Sequence, residues 1–202
     1  MSKCTRYGNI LTVPKTNLAS LLDLASEHDG LVTTHLAAEA GITRRALAGM
    51  VERGRLERIS RGVYRVAHLN PGPLSSYREA ILWAKSHSGP PAALSHETAL
   101  AIFGLTDANP SKIHLTTPQE ARLRRARPQR IVIHQARLEK KDVVEHEGLP
   151  VTSVTRTVLD LARAGNVRFA RDAIVHARRE GYLSDDEARR LTADVKNLTH
   201  ET

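Results

Sequence analysis

The sequence predicts an α+β protein in two parts, a small domain of three helices with a β-hairpin and a larger mixed α/β domain. Two prolines and a glycine in residues 71–73 mark the division, because they can continue neither a helix nor an inner strand. Helical periodicity dominates before this break, and strand-like and helical segments alternate after it. We therefore predict an N-terminal arm (1–14), a first domain (15–68), a linker (69–74) and a second domain (75–202).

The composition restricts the class of protein. The 202 residues include 30 lysines and arginines against 22 aspartates and glutamates, a net charge of +8, and this excess favours a polyanionic partner. The single cysteine excludes an internal disulfide and a cysteine-based zinc finger. The N-terminal segment lacks the apolar core of a signal peptide, and no window approaches the roughly 20 apolar residues of a membrane helix. We therefore expect a cytoplasmic protein without a membrane partner.

Helical periodicity predicts three helices in the first domain, over residues 17–28, about 34–40 and about 44–53. Thr33 or Thr34 is placed to cap the second helix, and Thr43 is placed to cap the third, because threonine side chains accept bonds from free backbone N–H groups at helix starts. Gly54 ends the third helix.

Gly41 separates the second and third helices at the spacing of a helix-turn-helix. Ala37, four residues earlier, is small enough to let the two helices approach, and Ile42 is expected to anchor the turn in the core. Two alternating runs follow, Leu56–Ile59 and Val63–Val66, around a Ser-Arg-Gly turn, which is a β-hairpin signal. This order of elements predicts a winged helix-turn-helix.

The third helix and the hairpin carry the candidate DNA-contacting residues. In this motif the start of the third helix enters the major groove, and the hairpin, or wing, contacts phosphate or the minor groove. Arginine suits this role because its guanidinium binds guanine O6 and N7 together. The predicted contacts are Thr43, Arg44, Arg45, Ala48, Arg53, Arg58, Ser60 and Arg61. The alternative is a protein–protein module, and Arg53 is as compatible with a solvated charge as with a phosphate contact.

The second domain is predicted to mix helices and strands. Helices are expected over 75–88 and, after Ser95 as N-cap with Thr98 at the third position, up to Gly104. Strands are expected over 112–116 and 130–134, with a hairpin of 143–146 and 149–152. Three helices close the domain, over residues 153–164, 169–180 and 184–194.

A loop between the two predicted strands is strongly basic. It contains Arg122, Arg124, Arg125, Arg127 and Arg130. Three interpretations stay open: a solvated loop, a second contact to DNA or RNA phosphates, or a contact to an acidic protein partner.

Few patterns in the second domain indicate chemistry. Ser95 and His96 are neighbours, but adjacent side chains on one helix point about 100° apart, so we predict a cap and a structural histidine rather than a nucleophile and its base. Arg156 and Asp160 have the spacing of an ion pair on a helix surface. The ten histidines show neither HExxH nor His-x-His spacing. We therefore predict no metal site, no cofactor, no catalytic residue and no enzymatic activity.

Six short motifs occur in a fixed order: LERISRGVY at 56–64, LSHETAL at 94–100, GL at 104–105, IHLTTP at 113–118, GLPVT at 148–152 and RTVLDLA at 156–162. In these motifs the chain resembles the AbiEi family of antitoxins from type IV bacterial toxin–antitoxin systems. The resemblance implies an N-terminal winged helix that represses its own operon. It also implies a C-terminal antitoxin domain that counters a nucleotidyltransferase-like toxin encoded nearby.

The leading hypothesis is therefore a DNA-binding antitoxin and autorepressor. Its expected partners are double-stranded DNA of its own promoter, read as inverted repeats, and the cognate toxin, with direct contact to the toxin left open. One alternative is a stand-alone winged-helix regulator whose second domain binds a ligand or partner. Another is a nucleic-acid-modifying enzyme.

Overall fold

A computed structural model describes residues 17–69, 71–84, 92–107, 109–118 and 128–200. The chain divides into two compact units, residues 1–71 (the first unit) and residues 72–202 (the second unit). The boundary between them lies inside the proline-rich segment 69–74.

The first unit contains three helices and a three-stranded antiparallel sheet. The elements are α1 (Asn17–Ser26), β1 (Leu31–Thr33), α2 (Thr34–Glu39), α3 (Arg44–Glu52), β2 (Leu56–Ser60) and β3 (Val63–Val66), with sheet order β1-β3-β2. The three predicted helices and the hairpin are present. Strand β1 was not predicted, because it has only three residues and acquires strand geometry from pairing with β3, more than 30 residues later.

Local side-chain bonds position the two helices of the helix-turn-helix. The Thr33 hydroxyl accepts a hydrogen bond from the Leu36 N–H (3.1 Å), and the Thr43 hydroxyl accepts one from the Ala46 N–H (3.2 Å). Gly41 has φ +75°, a left-handed conformation that glycine adopts without a Cβ clash. Below them, one cluster of buried side chains forms the core of this unit: Leu21, Ala25, Val32, Ala37, Ile42, Leu47, Met50, Leu56 and Val66.

The second unit is a five-stranded mixed sheet packed with helices. Its elements are α4 (Ser75–Ala84), β4 (Ala93–Leu94), α5 (His96–Ile102), β5 (Ile113–Thr117), β6 (Ile131–Gln135), a 3-10 turn (Lys140–Asp142), β7 (Val143–His146), β8 (Leu149–Thr152), α6 (Val154–Arg163), α7 (Val167–Arg179) and α8 (Asp185–His200). The strand order is β6-β5-β4-β8-β7. The β5–β6 and β4–β8 pairs are parallel, and the other two pairs are antiparallel.

The central strand β4 is the main departure from the predicted elements. It consists of Ala93 and Leu94 alone, too short for any alternation of polar and apolar residues. It nevertheless joins the two halves of the sheet, and both of its side chains are fully buried. The α+β class and the order of the predicted strands and helices agree with the structure. In the described part of the chain, no helix combines the length and the apolar character needed to cross a membrane.

Candidate functional site

The exposed face of α3 carries the predicted major-groove residues. Thr43, Arg44, Arg45 and Ala48 are exposed, whereas Leu47 is buried in the core. The helix is thus anchored by one face and presents two guanidinium groups in its first turn on the other. This is the side-chain arrangement that base readout by a recognition helix requires.

Arg53 lies at the C-terminal end of the same helix and folds back along it. A Cβ added to Gly49 would lie 3.0 Å from Nη1 of Arg53, so the guanidinium covers this glycine. Arg53 is exposed and two turns away from Arg44 and Arg45.

The β2–β3 hairpin carries the other predicted contacts, with Arg58 inside β2, Ser60 at its end and Arg61 in the turn. Arg58 and Arg61 are exposed, and Ser60 is half-buried at an irregularity in the β2–β3 register. The Thr34 N–H donates a hydrogen bond to the Gly62 carbonyl (3.0 Å), so the turn is tied to the first residue of α2. The wing arginines therefore lie on a hairpin whose turn has a fixed connection to the helix-turn-helix.

The basic loop is only partly described. Arg122, Arg124, Arg125 and Arg127 lie outside the described residues. Arg130 is exposed and its Nη2 forms an ion pair with Oε2 of Glu79 at 3.2 Å. The interpretation of Arg130 as a phosphate contact thus competes with a contact inside the chain.

A cluster of three histidines is the main polar feature of the second unit. His96 begins α5, His114 lies on β5 and His134 lies on β6. One ring nitrogen from each lies within 4.8 Å of the corresponding nitrogens of the other two. Nδ1 of His114 and Nε2 of His134 are 3.0 Å apart, and the His96 and His134 rings are stacked with centroids 3.6 Å apart.

The parallel register of β5 and β6 explains why two of these histidines meet. His134 is opposite Thr116, and His114 is two residues before Thr116, so both imidazoles lie on the same face of the sheet. The intervening Leu115 is buried in the apolar core on the other face.

Burial lowers the pKa of all three histidines. For His96 the pKa falls to about 3, because burial opposes protonation, and because the Arg156 cation and any charge on His134 or His114 would oppose it further. For His114 and His134 burial is also the largest cause, and the carboxylate of Glu97 opposes the lowering of both pKa values. The cluster is therefore a group of neutral imidazoles at neutral pH.

The prediction that the neighbouring side chains of Ser95 and His96 do not hydrogen-bond to each other is wrong. Oγ of Ser95 and Nδ1 of His96 are 3.0 Å apart, and the Ser95 hydroxyl makes no helix-capping bond. The physical reason is that His96 has φ +52° and Ser95 is extended, so the 100° spacing of regular helix residues does not apply to this pair. Ser95 still occupies the N-cap position.

Arg156 and Asp160 form the predicted ion pair, but the prediction that it lies on the helix surface is wrong. Their side chains are only 12% and 9% exposed. Nε of Arg156 lies 2.8 Å from Oδ2 of Asp160, while Nη1 donates to Oδ2 of Asp142 (2.8 Å) and to the Arg137 carbonyl (2.9 Å). Arg156 therefore connects α6 to the segment before β7.

The histidine cluster is the feature that sequence spacing did not reveal. Its members are separated by 18 and 20 residues, so no short motif contains two of them. The predicted strands contained one indication of the cluster, because His114 and His134 are both histidines within otherwise apolar strands. Only the register of β5 and β6 shows that their side chains lie close together.

Comparisons with known proteins identify both units. Residues 20–67 match the family model described as a transcriptional regulator, AbiEi antitoxin, and residues 92–197 match the model described as the AbiEi antitoxin C-terminal domain. No curated protein matches the chain. Among solved structures, the crystal structure of the RV2827C protein from Mycobacterium tuberculosis has a similar fold, with a TM-score of 0.51 and 18% sequence identity. The aligned region covers 89% of the present chain and 78% of the RV2827C chain.

Proposed function

Because the chain belongs to the AbiEi family of antitoxins, we propose that it represses its own operon through the first unit and counters a nucleotidyltransferase-like toxin through the second. The observation that carries the first half is the joint exposure of arginines on α3 and on the wing. These are the two elements with which a winged helix contacts DNA, one in the major groove and one at the backbone or minor groove.

The proposed base contacts are made by Arg44 and Arg45, with Thr43 and Ala48 beside them. The exposed Arg58 and Arg61 bind phosphate or the minor groove, with Ser60 between them, and Arg53 binds phosphate at the other end of α3. We further propose that two copies bind one operator as an inverted repeat, so that each half-site receives one α3.

Promoter binding tests this assignment. Fluorescence anisotropy would compare the chain's own promoter with scrambled DNA for the wild type, for Arg44→Ala with Arg45→Ala, and for Arg171→Ala with Arg190→Ala. The control pair removes the same charge from exposed positions of the second unit. A bidentate arginine–guanine contact is worth about 1–3 kcal/mol, so we expect the first pair to weaken promoter binding at least about tenfold. If the two double variants bound the promoter with equal affinity, the assignment of α3 as the recognition helix would be wrong.

The salt dependence of binding separates the wing contacts from the base contacts. Each phosphate contact contributes about −0.9 to the slope of log affinity against log salt concentration. We expect Arg58→Ala with Arg61→Ala to make the slope less steep by about 1 to 2, with similar losses of affinity on promoter and scrambled DNA. An unchanged slope would contradict phosphate binding by the wing.

Toxin rescue tests the second half of the proposal. The neighbouring toxin gene would be expressed with the full chain or with the Arg44→Ala, Arg45→Ala variant, both from an unrelated promoter. We expect both to restore growth, because the substitutions lie in the first unit. Failure of the wild-type chain to restore growth, or the lack of a nucleotidyltransferase-like neighbour, would favour a regulator without a toxin.

A further inference from the structure

Three clustered histidines of the second unit offer a set of metal ligands. We propose that His96, His114 and His134 together bind one divalent transition-metal ion, and that zinc is the ion that fits best. The proposed function assigns no role to this site, and the zinc-binding test below does not depend on promoter binding or on toxin rescue.

The spacing of the ring nitrogens carries the proposal. Ligand nitrogens about 2.0–2.1 Å from a tetrahedral zinc ion lie about 3.3 Å from one another. Nδ1 of His114 and Nε2 of His134 are already 3.0 Å apart, and one ring nitrogen of His96 lies within 4.8 Å of one ring nitrogen of each of the other two histidines. Because the His96 and His134 rings are stacked with 16° between their planes, zinc binding requires rotation of these rings out of the stack, so that three imidazole nitrogens converge on one ion.

The donor set determines which ion is favoured. Three imidazoles without a thiolate suit zinc, and leave a fourth tetrahedral position for water, as in zinc sites with three histidine ligands. Oε2 of Glu97 lies 3.3 Å from Nδ1 of His114 and brings a compensating negative charge to the cluster. The side chains of His114 and Glu97 are 19% and 22% exposed, so solvent and ions reach this side of the site.

The surrounding groups are placed as outer-shell partners of metal ligands usually are. Such partners fix the orientation of a ligating imidazole by bonding its other nitrogen, or hold a nearby carboxylate. Oγ of Ser95 lies 3.0 Å from Nδ1 of His96, which leaves Nε2 of that ring as the nitrogen available to the ion. Glu97 is held in turn by the Asn166 side-chain amide, which donates to Oε1 at 3.2 Å.

The backbone at His96 provides a second, independent observation. His96 has φ +52° and is 5% exposed, although a left-handed conformation costs a non-glycine residue about 1–2 kcal/mol. Strain of this kind concentrates at functional sites, where the surrounding structure holds it for a purpose. Here it turns the imidazole of a helix-start residue towards two strands of the sheet.

Metal titration of the full chain tests the proposal. Zinc affinity would be measured by competition with a chromophoric chelator, and cobalt would be added separately to report geometry through its visible absorption. The variants are His96→Asn, since asparagine tolerates the left-handed backbone, His134→Gln and Ser95→Ala. The control is His35→Gln, which removes an exposed histidine of the first unit.

We expect one zinc ion per chain, and a tetrahedral cobalt spectrum in the wild type and in the His35→Gln control. Loss of one ligand should weaken zinc binding by more than about 100-fold, and Ser95→Ala should weaken it by about 10-fold, because outer-shell partners contribute about 10- to 100-fold. Equal zinc affinity in His96→Asn, His134→Gln and the wild type would show adventitious binding elsewhere and would overturn the proposal.

Imidazole NMR of the isotopically labelled wild type gives an answer that does not depend on the folding of any variant. Of the ten histidines, those at 96, 114 and 134 should shift together at one equivalent of zinc. If their signals stay unchanged while zinc is present in excess, the three histidines are not metal ligands.

Discussion

Arg156 shows at the scale of one residue how burial changes the role of a charge. The i,i+4 spacing to Asp160 indicates an exposed pair that contributes a few tenths of a kcal/mol. In the structure the guanidinium also contacts Asp142 and a backbone carbonyl, and its side chain is 12% exposed. Removal of the arginine would take the cation from the mostly buried Asp142 and leave Asp160 with the half-exposed Arg163 alone, which is costly.

We therefore expect Arg156→Ala to lower the free energy of unfolding of the second unit by about 3–5 kcal/mol. Urea denaturation followed by the fluorescence of the buried Trp83, the one tryptophan in the chain, measures this loss. The control is Arg168→Ala, whose side chain is 95% exposed, with an expected effect within about 0.5 kcal/mol. A loss of less than about 1 kcal/mol for Arg156→Ala would contradict the network.

Residue-scale prediction from the sequence succeeded where a role depends on near neighbours. Thr33 and Thr43 cap their helices because the bonds involved reach only three residues along the chain. It failed for Arg156, whose partner Asp142 is 14 residues away, and for Ser95 and His96, whose geometry depends on an unusual backbone angle. The proposed DNA contacts stay predictions, since their function depends on a partner molecule.

At the scale of elements, the turn of the wing is fastened to helix α2 by the hydrogen bond from the Thr34 N–H to the Gly62 carbonyl. Gly62 has φ +81°, and a Cβ at this position would lie 3.2 Å from Oγ1 of Thr34. Gly54 has a similar φ of +65°, but nothing lies within 4 Å of the position its Cβ would take. A substitution at Gly54 therefore introduces backbone strain alone, whereas one at Gly62 introduces backbone strain and also a steric contact between the wing and α2.

We expect Gly54→Ala to destabilise the first unit by about 1–2 kcal/mol through backbone strain, and Gly62→Ala to destabilise it by more because the methyl group also displaces Thr34. Hydrogen exchange of the Val66 amide, which donates to the Gly30 carbonyl, measures the stability of this unit. Thr34→Ala should restore part of the loss in Gly62→Ala and none of it in Gly54→Ala. If the two glycine variants lost the same stability, the contact between position 62 and Thr34 would not contribute to the stability of the first unit.

The elements that sequence analysis missed are those that acquire their form from distant partners. Strand β1 depends on β3, and the two residues of β4 depend on β5 and β8. Longer segments with periodicity of their own, such as α6 and the β7–β8 hairpin, were predicted near their observed bounds. The histidine cluster belongs to the missed group, because strand register and not spacing brings its members together.

At the scale of the whole molecule, each unit has a hydrophobic core of its own. A unit with its own core is able to fold as a separate domain. A substitution in one core should therefore leave the stability of the other unit unchanged, since separate sites usually have additive effects.

This independence predicts a specific pattern of denaturation. Gly62→Ala should not move the urea midpoint of Trp83 fluorescence, and Arg156→Ala should not change the exchange rate of the Val66 amide. Both measurements use the full chain. A shift of the Trp83 midpoint in Gly62→Ala would show that the units unfold together.

The central position of β4 has a consequence for the order of events during synthesis. β4 pairs with β8, and the Thr152 hydroxyl bonds the Leu94 carbonyl 58 residues earlier, so the second sheet cannot close until the ribosome has added β8. The strands of the first unit all lie within residues 31–66. At about 5–20 residues per second, the 86 residues from the end of β3 to the end of β8 take about 4–17 s to make. The first unit, with its exposed arginines on α3 and the wing, is thus synthesised several seconds before the sheet of the second unit can close.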